Sequence, residues 1–252
     1  MANLADLFPI SNYASSGAPG AFTQVYVYNT SIDSLNNGGT CCLWTVPADT
    51  SWIRFETWGG GSSGGGSCCC QQPRQSGGAG AYARRTVPAT PGQTYTICAA
   101  GSTCCTPTCC GREGYPSFVN GGASASAVAL CAAGAPAGCT GCFMFGGCTF
   151  TGNTETCRSG SYCGEDFGLP AISGASQQGT CGYQGWQFVP SGPYIGPGVR
   201  HSFDYCQRLS GCAQIGGYAS FPGGGGGGAV SGGGGCCYGS HGAGGLVIIT
   251  YR

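Results

Sequence analysis

The chain has 252 residues, of which 52 are Gly and 21 are Cys, and only 7% carry a formal charge. Nine basic residues balance nine acidic residues, so no charged surface for nucleic acid or for an anionic membrane is predicted. No apolar run approaches the roughly 20 residues that a membrane-spanning helix needs. We therefore expect no nucleic-acid partner and no insertion into a membrane.

The first 40 residues are predicted to form an N-terminal arm that ends in one strand. Residues 1–20 are small, polar and interrupted by prolines, which is typical of a loose terminus or an attachment segment. Residues 22–28 are rich in β-branched and aromatic types and predict the strand. The beginning of the chain has neither a basic nor an apolar leader segment, so we expect no secretion signal. Residues 41–252 are predicted to form one glycine-rich and cysteine-rich β domain.

The strongest strand signal in the chain lies at residues 52–58. Its alternation places Ile53, Phe55 and Thr57 on one face of a strand, and the run leads directly into glycine tracts at residues 59–66. Two further strands are predicted, at residues 81–87 and 93–98, with a turn at Pro91-Gly92 before the second of them. The small-residue apolar run at 125–133 is either a short helix or a strand, and its surroundings favour a strand. No amphipathic helix of convincing length is found.

The next two segments differ in composition. Residues 134–182 contain isolated cysteines among Gly, Ser and Thr and show little periodicity. Residues 183–205 are rich in aromatic residues and proline and are predicted to be a loop. Exposed rings on a rigid scaffold suit contact with a glycan or protein surface, whereas the alternative is that they pack on the domain or at a subunit contact. The candidate contact residues are Tyr183, Trp186, Phe188 and Tyr194.

The stretch from residue 221 to residue 252 combines two glycine runs with a final apolar run at residues 246–249. Glycine loses more backbone freedom on folding than any other residue, so ordered glycine tracts need compensation. The sequence offers a buried terminal strand and many cysteines for this purpose. We expect both to stabilise the glycine tracts.

The cysteines are predicted to be mainly disulfide-bonded. Adjacent cysteines have Cα atoms about 3.8 Å apart and point to opposite faces of an extended chain, so each pair is expected to bond two different partners. The count is odd, so at least one thiol is free or bonded to another chain. The candidate disulfide cysteines are Cys41, Cys42, Cys68, Cys69, Cys70, Cys98, Cys104, Cys105, Cys109, Cys110, Cys236 and Cys237.

Metal binding and catalysis are weaker interpretations. Cys139 and Cys142 form one C-x-x-C and Cys236-Cys237 lies near His241, but a second C-x-x-C at zinc-ribbon spacing is missing. Residues 60–64 match G-x-S-x-G, a match that any glycine tract produces by chance, and the strand–elbow–helix context is lacking. We expect no enzyme activity, no cofactor and no metal; a cysteine-cluster metal-binding protein stays an alternative.

The order of these motifs resembles the glycine-rich domain of tail fibres and other virion appendages of tailed phages. The resemblance rests on a V-P-A turn at residues 46–48, the strand at 52–58 with its glycine tract, and the segments 78–83 and 91–97. It also includes a Ser-Phe turn at residues 115–118 and the closing strand at 242–251, so that it covers residues 41–252 in ordered pieces. A similar layout occurs in the extracellular region of some receptor kinases. The many cysteines depart from the phage pattern.

The resemblance implies an all-β fold with little or no helix: a jelly-roll-like β-sandwich base with polyglycine-II-like extended segments. It implies a virion structural protein, either a tail fibre or adhesin or a capsid-decorating appendage. The protein would be made in the host cytoplasm and carried on the extracellular particle. Its partners would be other virion proteins, further copies of itself, with a trimer favoured, and a glycan or protein of the host surface. The alternative from another class is a secreted structural protein of a cell surface or matrix.

Overall fold

The computed structural model describes most of the glycine-rich region and its two flanking strands. The described residues are 22–28, 39–68, 77–104, 111–121, 130–137, 143–145, 148–151, 154–156, 162–163, 166–169, 175–177, 184–189, 199–204, 212–214, 219, 221–226, 229–231 and 236–252.

These residues contain strands and no helix, in agreement with the predicted all-β class. The strands are β1 (Thr23–Tyr28), β2 (Thr40–Thr45), β3 (Trp52–Trp58), β4 (Ser67–Cys68), β5 (Tyr82–Pro88), β6 (Thr94–Ala99), β7 (Ser117–Gly121), β8 (Leu130–Ala132), β9 (Phe143–Phe145), β10 (Cys148–Thr151), β11 (Thr154–Thr156), β12 (Tyr162–Cys163), β13 (Phe167–Leu169), β14 (Ala175–Gln177), β15 (Gln184–Val189), β16 (Val199–Asp204), β17 (Cys212–Gln214), β18 (Ala229–Ser231), β19 (Cys236–Cys237) and β20 (Leu246–Tyr251).

Two antiparallel sheets form the base of the molecule. Sheet I has the order β1-β20-β3-β5-β13, and sheet II has the order β12-β8-β7-β6-β2. The predicted closing strand, β20, lies between β1 and β3, where both of its edges are hydrogen-bonded. The N-terminal and C-terminal strands of the described chain are therefore neighbours. The remaining strands form smaller pairings, with the orders β11-β10-β9, β14-β15-β16, β17-β18 and β19-β4.

The inner faces of sheets I and II share one hydrophobic core. Ile53, Phe55 and Thr57 are fully buried, as the alternation in β3 predicts. From sheet II, Tyr95 packs against Phe55 with ring centroids 5.0 Å apart. The core also contains Val27, Ala83, Val247 and Ile249 from sheet I, and Ile97, Val119, Leu130 and Ala132 from sheet II. This packing defines a β-sandwich.

A second structural unit, which we call the glycine bundle, extends from the ends of β3 and β20. It consists of extended segments that bond to one another through their backbones. Its segments are residues 59–64, 77–81, 100–103, 111–115, 133–135, 223–226 and 240–245.

The central segment of the glycine bundle, residues 59–64, bonds to its neighbours with a period of three. The N–H groups of Gly59 and Ser62 donate to segment 77–81. The next residue in each case, at positions 60 and 63, donates to segment 111–115, and the third, at 61 and 64, donates to segment 240–245. Three residues per turn without internal hydrogen bonds is the geometry of a polyproline-II helix. The predicted polyglycine-II-like packing is thus present in this part of the chain.

Three further segments donate to the carbonyl groups of the central segment. Ala135 N–H donates to Gly60 O at 2.9 Å, and Gly226 N–H donates to Ser62 O at 3.0 Å. The Thr103 hydroxyl donates to Gly61 O at 3.0 Å. The central segment therefore has six neighbours, so its buried backbone groups find partners without a sheet.

Two predictions made from the sequence need correction. The Ser-Phe turn at residues 115–118 is not a turn, because Ser117 and Phe118 begin β7. The aromatic segment 183–205 is not simply a loop, since β15 and β16 pair along it from Gln184 to Asp204. In both places strand pairing prevails over the turn-forming residues that the sequence displays. In the predicted strand at 125–133, residues 130–133 are described, and Leu130–Ala132 among them form a strand.

Candidate functional site

One disulfide is present among the described residues, between Cys41 in β2 and Cys98 in β6. The two cysteines lie directly opposite each other in the antiparallel pair, with their Cα atoms 4.1 Å apart. Such a separation belongs to the closer class of antiparallel residue pairs. Because the two cysteines are 57 positions apart in sequence, the bond closes a long loop and ties the edge strand of sheet II to its neighbour.

The neighbouring Cys42 carries an exposed free thiol. Cys41 and Cys42 do not bond to each other, as their adjacency predicts. The prediction that Cys42 is itself disulfide-bonded is wrong, since only Cys41 is cross-linked. Although the side chain is exposed as a whole, partial burial of its sulfur raises the pKa of the Cys42 thiol. The thiolate is the nucleophile in disulfide chemistry, so the raised pKa lowers the rate at which Cys42 reacts at neutral pH.

The structure describes the backbone position of four other candidate cysteines. Cys68 in β4 lies opposite Cys236 in β19, and Cys237 follows it opposite Ser67. Cys104 is half-buried and follows Thr103 in the glycine bundle. The candidates Cys69, Cys70, Cys105, Cys109 and Cys110 lie outside the described residues, so their pairing stays a prediction.

Sequence reasoning missed one further juxtaposition. Cys131 in β8 lies opposite Cys163 in β12, at the other edge of sheet II. Neither cysteine stands next to another in the chain, whereas every candidate chosen from the sequence except Cys98 does. Only the register of two strands about thirty positions apart reveals this pair, and the short runs around them do not predict that register.

The predicted contact aromatics fall in the least described part of the chain. Trp186 and Phe188 lie on β15, where Trp186 is opposite Gln177 on one side and Ser202 on the other. Tyr183 and Tyr194 lie outside the described residues. A contact role for these four residues stays a prediction.

A different group of aromatic residues is exposed on sheet I. The Phe22 ring meets the Trp52 ring edge-on at 5.6 Å, and the Arg54 guanidinium lies 5.7 Å from the centroid of Trp52. Phe22 is 59% exposed and Tyr26, further along β1, is 51% exposed. The alternation in β3 places Trp52 and Arg54 on the outer face, so the part of this surface that β3 contributes is predictable from the sequence.

Buried hydroxyl groups fix the segments of the glycine bundle relative to one another and to the adjoining strands. Ser117 Oγ donates to Trp58 O at 2.6 Å and accepts from Ala100 N–H at 2.9 Å. Thr103 Oγ1 donates to Gly61 O and accepts from Gly242 N–H, each at 3.0 Å. The hydroxyls of Ser62 and Ser63 accept from Gly78 N–H and Arg112 N–H. Each hydroxyl takes up backbone groups that would otherwise be buried without a partner.

The described part of the chain contains no cluster of three or more His, Cys, Asp or Glu side chains arranged to hold a metal ion. His241, part of the metal alternative, has its Nδ1 atom 3.3 Å from the carbonyl oxygen of Thr103. Among the same residues, no helix has the length and apolar character needed to cross a membrane.

The architecture corresponds to a known family. Residues 35–252 match the model of the glycine-rich domain, which spans most of the chain. The chain therefore belongs to the glycine-rich domain family. A comparison with curated proteins produced no match.

Proposed function

We propose that the chain is a non-enzymatic structural protein of a virus particle, either a tail fibre or adhesin or a capsid-decorating appendage. The glycine bundle is the observation that carries the structural role in this proposal. A core segment with six hydrogen-bonded neighbours is a scaffold whose rigidity comes from the backbone itself. Such a scaffold suits a part that must keep its shape outside a cell, exposed to proteases and shear.

The order of motifs supports the viral assignment. The V-P-A segment, the strand β3 with its glycine tract, and the closing strand β20 follow one another as in the tail-fibre domains that the sequence resembles. The glycine-rich family itself does not specify a location. The assignment to a particle therefore rests on the resemblance, and the mechanical role rests on the bundle.

The cross-link between Cys41 and Cys98 fits a protein that is made inside a cell and then carried outside it on a particle. Disulfides persist in oxidising surroundings and are rare in the cytosol. Cys41 is exposed at the sheet edge, where an oxidant can reach it after folding. A protein made in the host cytoplasm would thus fold with thiols and become cross-linked after release of the particle. Association with other virion proteins, and with further copies of itself as a trimer, belongs to this proposal.

Mass spectrometry of purified particles tests the proposal directly. Peptides of this chain should be recovered from the particles, and without reduction Cys41 and Cys98 should be found in one linked species. Recovery from the cell-surface or matrix fraction, with none in particles, would overturn the viral assignment in favour of a secreted structural protein. Stoichiometric metal in the purified protein, measured by elemental analysis, would favour the metal-binding alternative.

Contact with the host surface is the finer part of the proposal. Trp186 lies on β15 in an aromatic segment, and stacking of a ring on a sugar or apolar surface would provide binding energy. Trp186→Ala should reduce adsorption of particles to host cells, whereas the neighbouring substitution Gln187→Ala should leave it unchanged. Equal adsorption by both variants, with the same amount of protein on the particle, would remove Trp186 from the contact.

A further inference from the structure

One row of residues crosses sheet II from edge to edge and has a cysteine pair at each end. Successive positions directly opposite one another are Cys41, Cys98, Phe118, Cys131 and Cys163. The outermost strands of this sheet are β2 and β12, which carry the first and last of these residues. Each edge strand therefore meets its neighbour with cysteine opposite cysteine.

The row lies on the outer face of the sheet. Val119 and Leu130, which flank it in β7 and β8, are fully buried in the core, whereas Phe118 and Cys131 are half-buried. Residues directly opposite in an antiparallel sheet share a face, so position 163 belongs to the same face as Cys131. Their Cα atoms are expected at about 4.5 or 5.5 Å, depending on the class of pair, and both values suit a disulfide.

We propose that Cys131 and Cys163 form a second cross-strand disulfide, so that oxidation ties both edge strands of sheet II. The bonded pair at the opposite end of the row, Cys41–Cys98, has the same relation to its edge. β12 has only two residues in the ladder, so the bond fixes a strand that pairing alone holds weakly. The bond also closes the loop that contains β9, β10 and β11, so that both ends of this loop are fixed to the sheet. This inference does not depend on the proposed function.

The reaction is a thiol–disulfide exchange with a small-molecule disulfide such as oxidised glutathione. The Cys131 thiolate attacks one sulfur of the reagent and releases one molecule of the small thiol. The Cys163 thiolate then displaces the second small thiol from the mixed disulfide. Two protein thiols are oxidised, one small disulfide is reduced, and the two protons end on the released thiols. Cys131 is partly accessible, as the first step requires.

Counting thiols in single and double variants tests the bond. The full chain is folded in a glutathione redox buffer, denatured, and alkylated without reduction. Cys131→Ser and Cys163→Ser should each gain one alkylated thiol relative to the parent protein, because each releases the partner. The double variant should equal the parent. A loss of one thiol in each single variant, and of two in the double variant, would overturn the proposal.

The chain provides both controls for this count. Cys41→Ser should gain one thiol by releasing Cys98, and Cys42→Ser should lose one, since its thiol is free. Peptide mapping of the parent protein gives an answer that needs no variant. Chymotrypsin releases residues 163–167 with Cys163 as the single cysteine, and fragmentation should show it linked to Cys131. Linkage to any other cysteine, or alkylated Cys163, would refute the bond.

Discussion

The chain passes from the β-sandwich into the glycine bundle at the end of β3, yet the two units fill their interiors in opposite ways. In the sandwich, Phe55 and Tyr95 fill the space between two sheets, and the backbone groups bond within each sheet. In the bundle, backbone occupies the interior itself: a Cβ added at Gly61 would meet the carbonyl oxygen of Gly224, and one added at Gly80 would meet that of Gly59. The first unit depends on large side chains being present, and the second depends on their absence at glycine positions such as Gly61 and Gly80.

The sandwich side of the comparison is tested most strongly by Phe55→Ala. The ring is fully buried and contacts the rings of Trp44 and Tyr95, so its removal leaves a cavity. We expect the free energy of unfolding to fall by about 3–5 kcal/mol, measured by chemical denaturation. Leu43→Ala is the control, because Leu43 is 73% exposed and should change stability by less than about 0.5 kcal/mol. Equal effects would show that the sandwich does not depend on core packing.

Loss of the Cys41–Cys98 bond should have the next largest effect. Replacement of both cysteines by serine frees a loop with a sequence separation of 57 residues. The free energy of unfolding should fall by about 2–4 kcal/mol, because the unfolded chain regains conformational freedom. Cys42→Ser, which removes a free thiol next to the bond, should have little effect. If a reducing agent left the melting temperature of the parent protein unchanged, the bond would be dispensable.

The bundle side is tested by two adjacent glycines. In Gly61→Ala the new methyl group meets backbone that cannot move aside, and we expect destabilisation of about 2–3 kcal/mol. In Gly60→Ala the nearest atoms are 3.2 Å from the new Cβ, so the neighbours need only a small shift. Thermal unfolding of both variants measures the difference. Similar melting temperatures for the two would show that residues 59–64 are not packed as described.

Thr103→Val tests whether hydroxyl groups hold the bundle segments together. Valine keeps the shape of the side chain but leaves Gly61 O and Gly242 N–H without their 3.0 Å partner. We expect a loss of about 1–2 kcal/mol in the free energy of unfolding. Thr45→Val is the matched control, since the Thr45 hydroxyl is exposed and bonds only the Thr94 hydroxyl, at 3.1 Å. An effect at Thr45 as large as at Thr103 would contradict the role assigned to burial.

The smallest expected effect is a pH shift at Cys42. Partial burial favours the neutral thiol and raises its pKa in the folded protein. The pH at which Cys42 reaches half its maximal alkylation rate should therefore be higher in the folded protein than in denaturant. The folded state loses stability as the pH rises through this interval, because the unfolded chain releases the proton first. Pulse alkylation with mass detection of the Cys42 peptide measures both midpoints.

The sequence was most informative where side chains decide the structure. The alternation of Ile53, Phe55 and Thr57 predicts β3 and its buried face, and the apolar run at 246–249 predicts β20. Composition likewise predicts the glycine segments. It does not predict which segment bonds which, because glycine carries no side chain whose size or charge would specify a neighbour.

The cysteines show the same limit. Adjacency correctly separates Cys41 from Cys42, but nothing near either residue indicates Cys98 as the partner, since the pairing depends on the register of β2 against β6. Register arises from the whole sheet, including turns such as Pro91-Gly92, where Gly92 adopts a φ of +79°. Proline and aromatic residues in 183–205 predict a loop. This prediction is wrong for a similar reason, because the pairing of β15 with β16 is not visible in either run alone.

The three-residue period of segment 59–64 limits how the length of its tracts can vary. Removal or addition of three residues advances the helix by one turn, so every remaining amide still faces the same neighbour. A change of one or two residues puts the end of the segment a third or two-thirds of a turn out of phase, so the chain that follows would leave in a different direction. Natural variation in the length of these tracts should therefore occur in multiples of three residues.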